Sequence, residues 1–590
     1  MKKAFRLARR ALLAGLLMAS LPGWSQDWPQ WGRTPQHTGA VNVSGQHARK
    51  LLDDVVYDPF AEANETDPEG PGALTIHYQV PLTDGDDVYM EFKTGTYTGL
   101  ETRNTLIWNE KKLRRTHGHL TAVWSFESDW KPLPFGSFVT GRGAFDEPVF
   151  HAVLVGNSVY VPGFGGSIFK VAKSDGHLVA RIQPFGGLFD GMLDPDTYVA
   201  GPLVADAHGN VYYNVLKVDH NDPWNVNPPA SYLVKVSPNN TFKTATIASL
   251  TPGAPGANDQ CLGAFTNAEL PWPPSPDAVP GMVTCGVQRV PANSAPAIAP
   301  DGTIYIVTVA HLWNREVYLV AVNPGLTPKW ISSLANRLTD GCNVTLPPNG
   351  TPGGCRAGAH TGVDPSQNRP GAGRVLDDSS SVPVVLPDGS ILFGAFTRYN
   401  YDQGHLMKFS SSGQFLASYL YGFDETPAVF VHDGTYSILT KDNHYTGLGS
   451  YCSVEAFCPS DRTASNPADP EAYFITRLNS NLQPEWRFQS TNTQSCTRDA
   501  QGHVSCVSDH PAGFEWCVNG LAVDRNGNVF ANSEDGNLYV IRPNGKLRDH
   551  LFLQLAIGAA YTPLSIDGDG KILTQNNGHL FVVGDDEDDD

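Results

Sequence analysis

The feature that most limits what this chain can become is a repeated strand–turn–strand unit, seen in full in the stretch Ser294–Leu334. Ala295–Ala299 is a short apolar run, and Pro300, Asp301 and Gly302 form a turn. Thr303–Val309 alternates apolar and polar residues, as a half-buried strand does. Val317–Val322 reads as a third strand, Asn323, Pro324 and Gly325 as a second turn, and Pro328–Ser333, carrying Trp330, as a fourth strand. Four short antiparallel strands in about forty residues make one propeller blade.

The unit recurs. Turn glycines followed by an apolar or aromatic pair stand at Gly85, Gly156, Gly209, Gly302, Gly389, Gly434, Gly527 and Gly568. Prolines open strands at Pro148, Pro202, Pro296, Pro383, Pro427 and Pro563. Glycine suits the turns because tight hairpins require positive φ, which Asp and Asn tolerate next best. The pattern predicts an all-β chain folded as a single β-propeller of about eight four-stranded antiparallel blades. Blades are expected at 74–130, 146–184, 199–250, 294–334, 380–420, 424–490 and 517–555, with an eighth from Tyr561. That last blade has only three strands, so a segment between Ala40 and Tyr57 is expected to supply the fourth and close the ring. No sustained helical period is present, so helices should be few.

The ends of the chain are read separately. Residues 1–25 have the form of an export signal: Lys2, Lys3, Arg6, Arg9 and Arg10 precede the apolar run Ala11–Leu21, with small residues near Ser25. The run is too short to span a bilayer, and no other stretch is long enough. The propeller then occupies 26–583, and 584–590 (GDDEDDD) is an acidic, solvated tail. A net charge of −19 argues against nucleic acid or anionic lipid as a partner.

In an exported chain, nine cysteines point to disulfides and to a periplasmic or secreted protein. Near neighbours give the pairs Cys261–Cys285, Cys342–Cys355, Cys452–Cys458 and Cys496–Cys506, all in insertions between strands, with Cys517 left free and buried. The Pro/Gly-rich stretches 251–293 and 336–375 read as long loops on one rim.

Residues just before each innermost strand should face the mouth of the channel. They include Asp146, Glu147, Asp377, Asp378, Asp424, Glu425 and Glu515, with Tyr198, Asn293 and Tyr561 in other blades. Asp146, Asp377, Asp378, Asp424 and Glu515 are the candidate ligands for a hard cation such as calcium. Alternatively, a lysine or arginine from a rim loop, with Arg142 and Arg374 nearest in sequence, would relieve their repulsion. His117 and His119, two apart, are a second metal candidate, flanked by Arg114 and Arg115. Asp509 with His510, His444 with Tyr445, and Arg356 with His360 are isolated candidates for proton transfer. Asp524–Asn528 reads as a hairpin turn rather than a calcium loop.

Trp28, Pro29, Gln30, Trp31 and Gly32, followed by His37, Thr38 and Gly39, resemble the opening of exported propellers built from pyrroloquinoline-quinone-like repeats. Gly325…Trp330 approximates their closing step, and Trp124 and Trp486 occupy similar strand positions. The resemblance covers nearly the whole chain and implies the quinoprotein alcohol dehydrogenase-like fold, which serves both enzymes and scaffolds. It implies a binding or scaffold protein for a protein or glycan partner, similar to outer-membrane assembly propellers, acting as a monomer. The alternative is a quinoprotein dehydrogenase using PQQ and calcium, although adjacent cysteines and a haem-attachment motif are absent. A polysaccharide lyase or hydrolase is the third possibility and needs His, Tyr and Arg brought together.

Overall fold

The computed structural model describes residues 27–67, 78–99, 105–134, 150–186, 192–223, 229–310, 316–344, 355–377, 379–397, 399, 404–445, 471–557 and 562–585. The expected signal segment, Asp146, Glu147, Arg142, Asp378, Tyr561, the Cys452–Cys458 pair and the last five residues of the tail lie outside them.

The repeat folds as expected, into eight blades of antiparallel strands. In the blade spanning 297–333 the strands Ala297–Ile298, Ile304–Val309, Val317–Val322 and Pro328–Ser333 follow one another as a meander. The innermost strand of the third blade is split into Thr197–Val199 and Val204–Ala205. Inner and middle strands are buried, as in Ile304–Val309 and Val317–Val322, while outer strands are half-exposed. Helices among the described residues are single turns such as Ala61–Glu65.

Local chemistry sets the hairpins. In the turn Asp524–Asn528, the Asp524 carboxylate accepts hydrogen bonds from the Asn526 and Asn528 amides at 2.9 and 2.8 Å, and Gly527 takes φ 79°. Asp206 and Asp567 repeat the device in their own blades. Blades are joined by tryptophans. The indoles of Trp124, Trp330 and Trp486 each donate to a carbonyl of the following blade, at Lys173, Ser411 and Pro543, 2.8–3.0 Å away. Each ring lies on a hairpin glycine there, Gly176, Gly413 or Gly545, where a Cβ would come within 3.0 Å of the indole.

The ring closes through the N-terminal region. Lys50–Val56 pairs antiparallel with His579–Gly584 and completes the eighth blade, as the strand count required.

A second role of this region was not expected. Residues 28–46 run as a strap past the innermost strands of successive blades. Trp28 O accepts from Thr83 N, Pro29 O from Leu154 N, Pro35 O from Ile298 N, Gln36 O from Val385 N, Thr38 O from Val429 N and Gly39 O from Val523 N, all at 2.7–3.0 Å. Gln30 Oε1 covers Ala205 N at 2.7 Å, and Gln46 N donates to Gly570 O of the eighth blade at 2.7 Å. The contacts fall where each inner strand reaches its first hairpin, so the strap closes that mouth of the channel.

Strand order gives the two faces different characters. In a meander the first and third turns share one face, while the second turn and the crossover to the next blade share the other. The hairpin face carries short turns such as 156–157, 299–303 and 433–434. The loop face carries the insertions 251–296, 334–383 and 490–521. Three disulfides staple them, Cys261–Cys285, Cys342–Cys355 and Cys496–Cys506, and Cys517 is free and buried. The first two insertions lean on each other: Phe265 N donates to Ser366 O at 2.8 Å and Arg356 N to Trp272 O at 2.9 Å.

Trp31 is 3% exposed and donates its indole N–H to Thr426 Oγ1 at 3.0 Å, tying strap to channel. Trp31→Ala is expected to cost about 3–5 kcal/mol, the usual range for emptying a buried aromatic site. A shift in the denaturant midpoint with an unchanged slope measures it.

Candidate functional site at the loop-face mouth

The carboxylates expected at the mouth do lie on the loop face, but each described one has an internal partner. Asp377 is held by Arg289, which reaches both carboxylate oxygens at 2.6 and 2.7 Å, and Asp377 Oδ1 also accepts from Ala292 N at 3.1 Å. The relieving arginine at Asp377 is therefore not Arg374. Arg374 goes to Asp364 instead, at 2.9 Å. Arg289 comes from the far end of the 251–293 insertion, where its backbone pairs with Val309, so the two insertions flanking the fourth blade bring it to Asp377.

Asp424 has φ 58° and turns its carboxylate back onto Ser380, accepting from Ser380 N at 2.9 Å. Lys441 Nζ stands 3.9 Å from its other oxygen. Glu425, next in the chain, is fully buried. Its Oε1 accepts from Lys441 N at 2.8 Å and from the Thr440 hydroxyl, while Oε2 has no hydrogen-bond partner. Burial pushes its pKa up to about 8.

The sixth and seventh blades bring further groups alongside. Glu515 Oε2 accepts from the Tyr445 hydroxyl. Glu515, Cys517 and Glu534 place one donor atom each within 4.8 Å of one another. Glu534 is pushed up to about 8 by burial, reinforced by the Glu515 charge, and burial likewise raises the Cys517 thiol. Glu534 sits between the second and third strands of its blade, a position the reading of residues preceding inner strands does not cover.

Among the described residues, which leave out Asp146 and Asp378, the donor set does not suit the calcium and quinone of the dehydrogenase alternative. Calcium takes six or more oxygen ligands. Here Asp377 is bound to a guanidinium, Asp424 to a backbone amide, and the remaining trio includes a sulfur. On the opposite face, the strap closes the other mouth of the channel.

His117 and His119 do not share a strand face. His117 is in a turn at φ 49°, and His119, across it, faces Asp53 at 3.5 Å. Arg114 pairs with Asp87, and Arg115 with Asp86, Asp567 and Asp569. His510 bonds Asp509 at 2.6 Å and stacks on Phe514, and His360 reaches the exposed Asp277 at 3.1 Å. Arg356 binds the Pro271 and Pro273 carbonyls.

His, Tyr and Arg do come together between the fifth and sixth blades. Asp442 accepts from His444, from Tyr419 at 2.6 Å, Thr476 at 2.7 Å and Arg487 at 3.0 Å. His444 also stacks on Tyr421, with centroids 4.0 Å apart. Asp442 is 0% exposed and His444 4%, so this network ties the fifth blade to the sixth instead of facing a substrate.

Two further histidines line the strap. His37 Nδ1 bonds Pro383 O at 2.9 Å and His151 Nδ1 bonds Ala152 O at 2.8 Å. Burial lowers their pKa values to about 4 and about 3. A cavity of about 710 Å³ opens on the hairpin face between Asp27, Arg33, Lys170, Lys173 and His208, remote from the mouth.

No protein-family model matches the sequence, and no curated protein does. Solved structures share the propeller architecture. A europium-containing methanol dehydrogenase is 10% identical, with TM-score 0.49 over 93% of this chain and 89% of that one. A quinohemoprotein alcohol dehydrogenase from Comamonas testosteroni is 11% identical, with TM-score 0.46 over 95% and 81%. BamB from Moraxella catarrhalis is 10% identical, with TM-score 0.36 over 91% and 99%. At such identities the likeness concerns the fold alone.

Two outcomes follow from the buried charges. Asp377→Ala, which strands the Arg289 guanidinium, is expected to cost ~3–5 kcal/mol, and Arg289→Met with Asp377→Leu to recover most of it. Chemical denaturation of the single and double variants measures both. Glu425 has a folded pKa above its ordinary 4.5, so the stability it lends is complete below 4.5 and is lost as pH rises toward 8. Glu425→Gln should therefore match the parent melting temperature near pH 4.5 and exceed it increasingly up to pH 8. His37 has the opposite sign: its contribution is complete above 6.5 and is lost as pH falls toward 4.

Proposed function

We propose that this chain is an exported binding propeller that presents its loop face to a protein or glycan partner in the periplasm or outside the cell. The observation that carries the reading is the asymmetry of the two faces. Short turns and the strap close one side, while long, disulfide-bonded insertions rise from the other. Disulfides persist in oxidising compartments, which supports export. The stapled loop 261–285 holds Val279, Met282 and Val283 in water at 61%, 56% and 39% exposure. Apolar side chains kept exposed on a braced loop favour recognition of another surface. The described candidate carboxylates, Asp377, Asp424 and Glu515, are engaged within the fold, which favours binding over catalysis.

Cross-linking of the full chain to envelope proteins, together with a glycan array, tests the reading. Contacts should map to the 251–293 and 336–375 insertions. Met282→Glu should reduce them several-fold, and the hairpin-face control Asp433→Lys should not. Dye-linked oxidation of alcohols after addition of PQQ and calcium would overturn the proposal.

A further inference from the structure

The hairpin inserted before the seventh blade consists of Gln494–Arg498 and Val504–Ser508. Its register shows which backbone groups face outward. Cys496 and Cys506 are directly opposite and disulfide-bonded, with Cα atoms 4.1 Å apart. Antiparallel pairs that exchange no hydrogen bonds lie at about 4.5 Å, and bonded pairs at about 5.5 Å. Cys496–Cys506 is thus a non-bonded pair, and so are Arg498–Val504 and Gln494–Ser508, two residues away on either side.

The hydrogen bonds agree. Asp499 N donates to His503 O and Asp509 N to Thr493 O, both at bonded positions in this alternation. On the first strand the outward groups are already taken: Arg498 N donates to Gln554 O, and Cys496 O accepts from Ala556 N, each at 2.9 Å. On the second strand, the outward N–H and C=O groups of Val504, Cys506 and Ser508 meet no described backbone partner, and the whole strand is exposed.

A cleft of about 430 Å³ adjoins the same hairpin. Val504 and Cys496 line it from above, and Phe488, Tyr539, Leu547 and Phe552 of the neighbouring blades from below. Val504 and Cys506 share one face of their strand because side chains alternate. Alternate side chains of any strand added alongside would point to that face too, toward the cleft.

We propose that Val504–Ser508 is a strand-addition edge that takes an extended segment of a partner protein, with apolar or aromatic residues at alternate positions reaching the cleft. The backbone supplies affinity through Val504, Cys506 and Ser508, and the aromatic cleft supplies selectivity. The inference rests on the binding reading and specifies one part of its interface.

The test uses the full, oxidised chain and a capped synthetic peptide of alternating Phe and Thr with a lysine at each end. Hydrogen exchange should slow at least tenfold at the Val504, Cys506 and Ser508 amides on peptide addition, with little change at Ser505 and Val507. Val504→Pro removes one outward N–H while sparing the pairing to Gln494–Arg498, and should weaken binding roughly tenfold, as loss of one good hydrogen bond does. Leu547→Asp should weaken it through the cleft, and Val507→Thr, on the other face, should leave it unchanged. Absence of protection, or affinity indifferent to Val504→Pro, would overturn the inference. So would concentration-dependent dimers that protect the same amides without peptide, since the occupant would then be a second copy. Loss of the peptide with loop-face cross-links intact rejects this edge alone. Quinone-dependent oxidation with the same amides still protected by the peptide rejects the binding reading of the loop face and supports this edge.

Discussion

Everything in this propeller depends on the backbone hydrogen bonds between the strap and the innermost strands. Each inner strand pairs outward with the second strand of its blade and would otherwise present bare N–H groups to the channel. Unpaired backbone groups away from water are costly. The strap meets them in chain order, from Thr83 N in the first blade to Val523 N in the seventh, and donates Gln46 N to the Gly570 carbonyl in the eighth. Its own residues are near neighbours, whereas its partners are spread over almost the whole sequence. It therefore holds together strands that no local interaction relates. The strand Lys50–Val56 then locks the last blade to the first part of the chain.

The same device shapes the electrostatics. Trp31 leaves the strap and bonds Thr426, whose hydroxyl reaches on to Ser380 O at 3.0 Å. Ser380 in turn holds Asp424. A continuous chain of contacts thus runs from the closed end of the channel to the acidic mouth. Of the described groups at the mouth, Asp377 is matched by Arg289 and Glu425 is kept uncharged to higher pH by burial.

The sequence made the blades legible because each turn carries its own cause. Asp524, Asp206 and Asp567 bond amides two and four residues on, so Asp and Gly at fixed spacing signal a hairpin without tertiary context. Ring closure followed from counting strands in the eighth blade, and the local disulfides from spacing. The strap was invisible for the opposite reason. Trp28–Gly39 has no period and bonds mainly through carbonyls, which every residue possesses. Arg289 and Lys441 were missed because their partners come from other strands or blades, and sequence proximity favoured Arg374, which the fold gives to Asp364. The His117–His119 pairing failed because a turn at φ 49° stands where a continuous strand was assumed.

Closing a ring removes sheet edges, and that makes the added hairpin at 494–508 informative. Its first strand is docked on residues 554–556, and its second faces solvent. Exposed edges are usually shielded by charge, proline or a bulge, yet Val504–Ser508 carries none of these. The disulfide adds a further constraint. A slip of one residue would turn every side chain to the opposite face and carry Cys506 away from Cys496. The covalent bond therefore fixes which three residues offer their backbone outward. An edge left by chance would have no need of a locked register, whereas a partner that must match hydrogen bonds and side-chain positions together would require one.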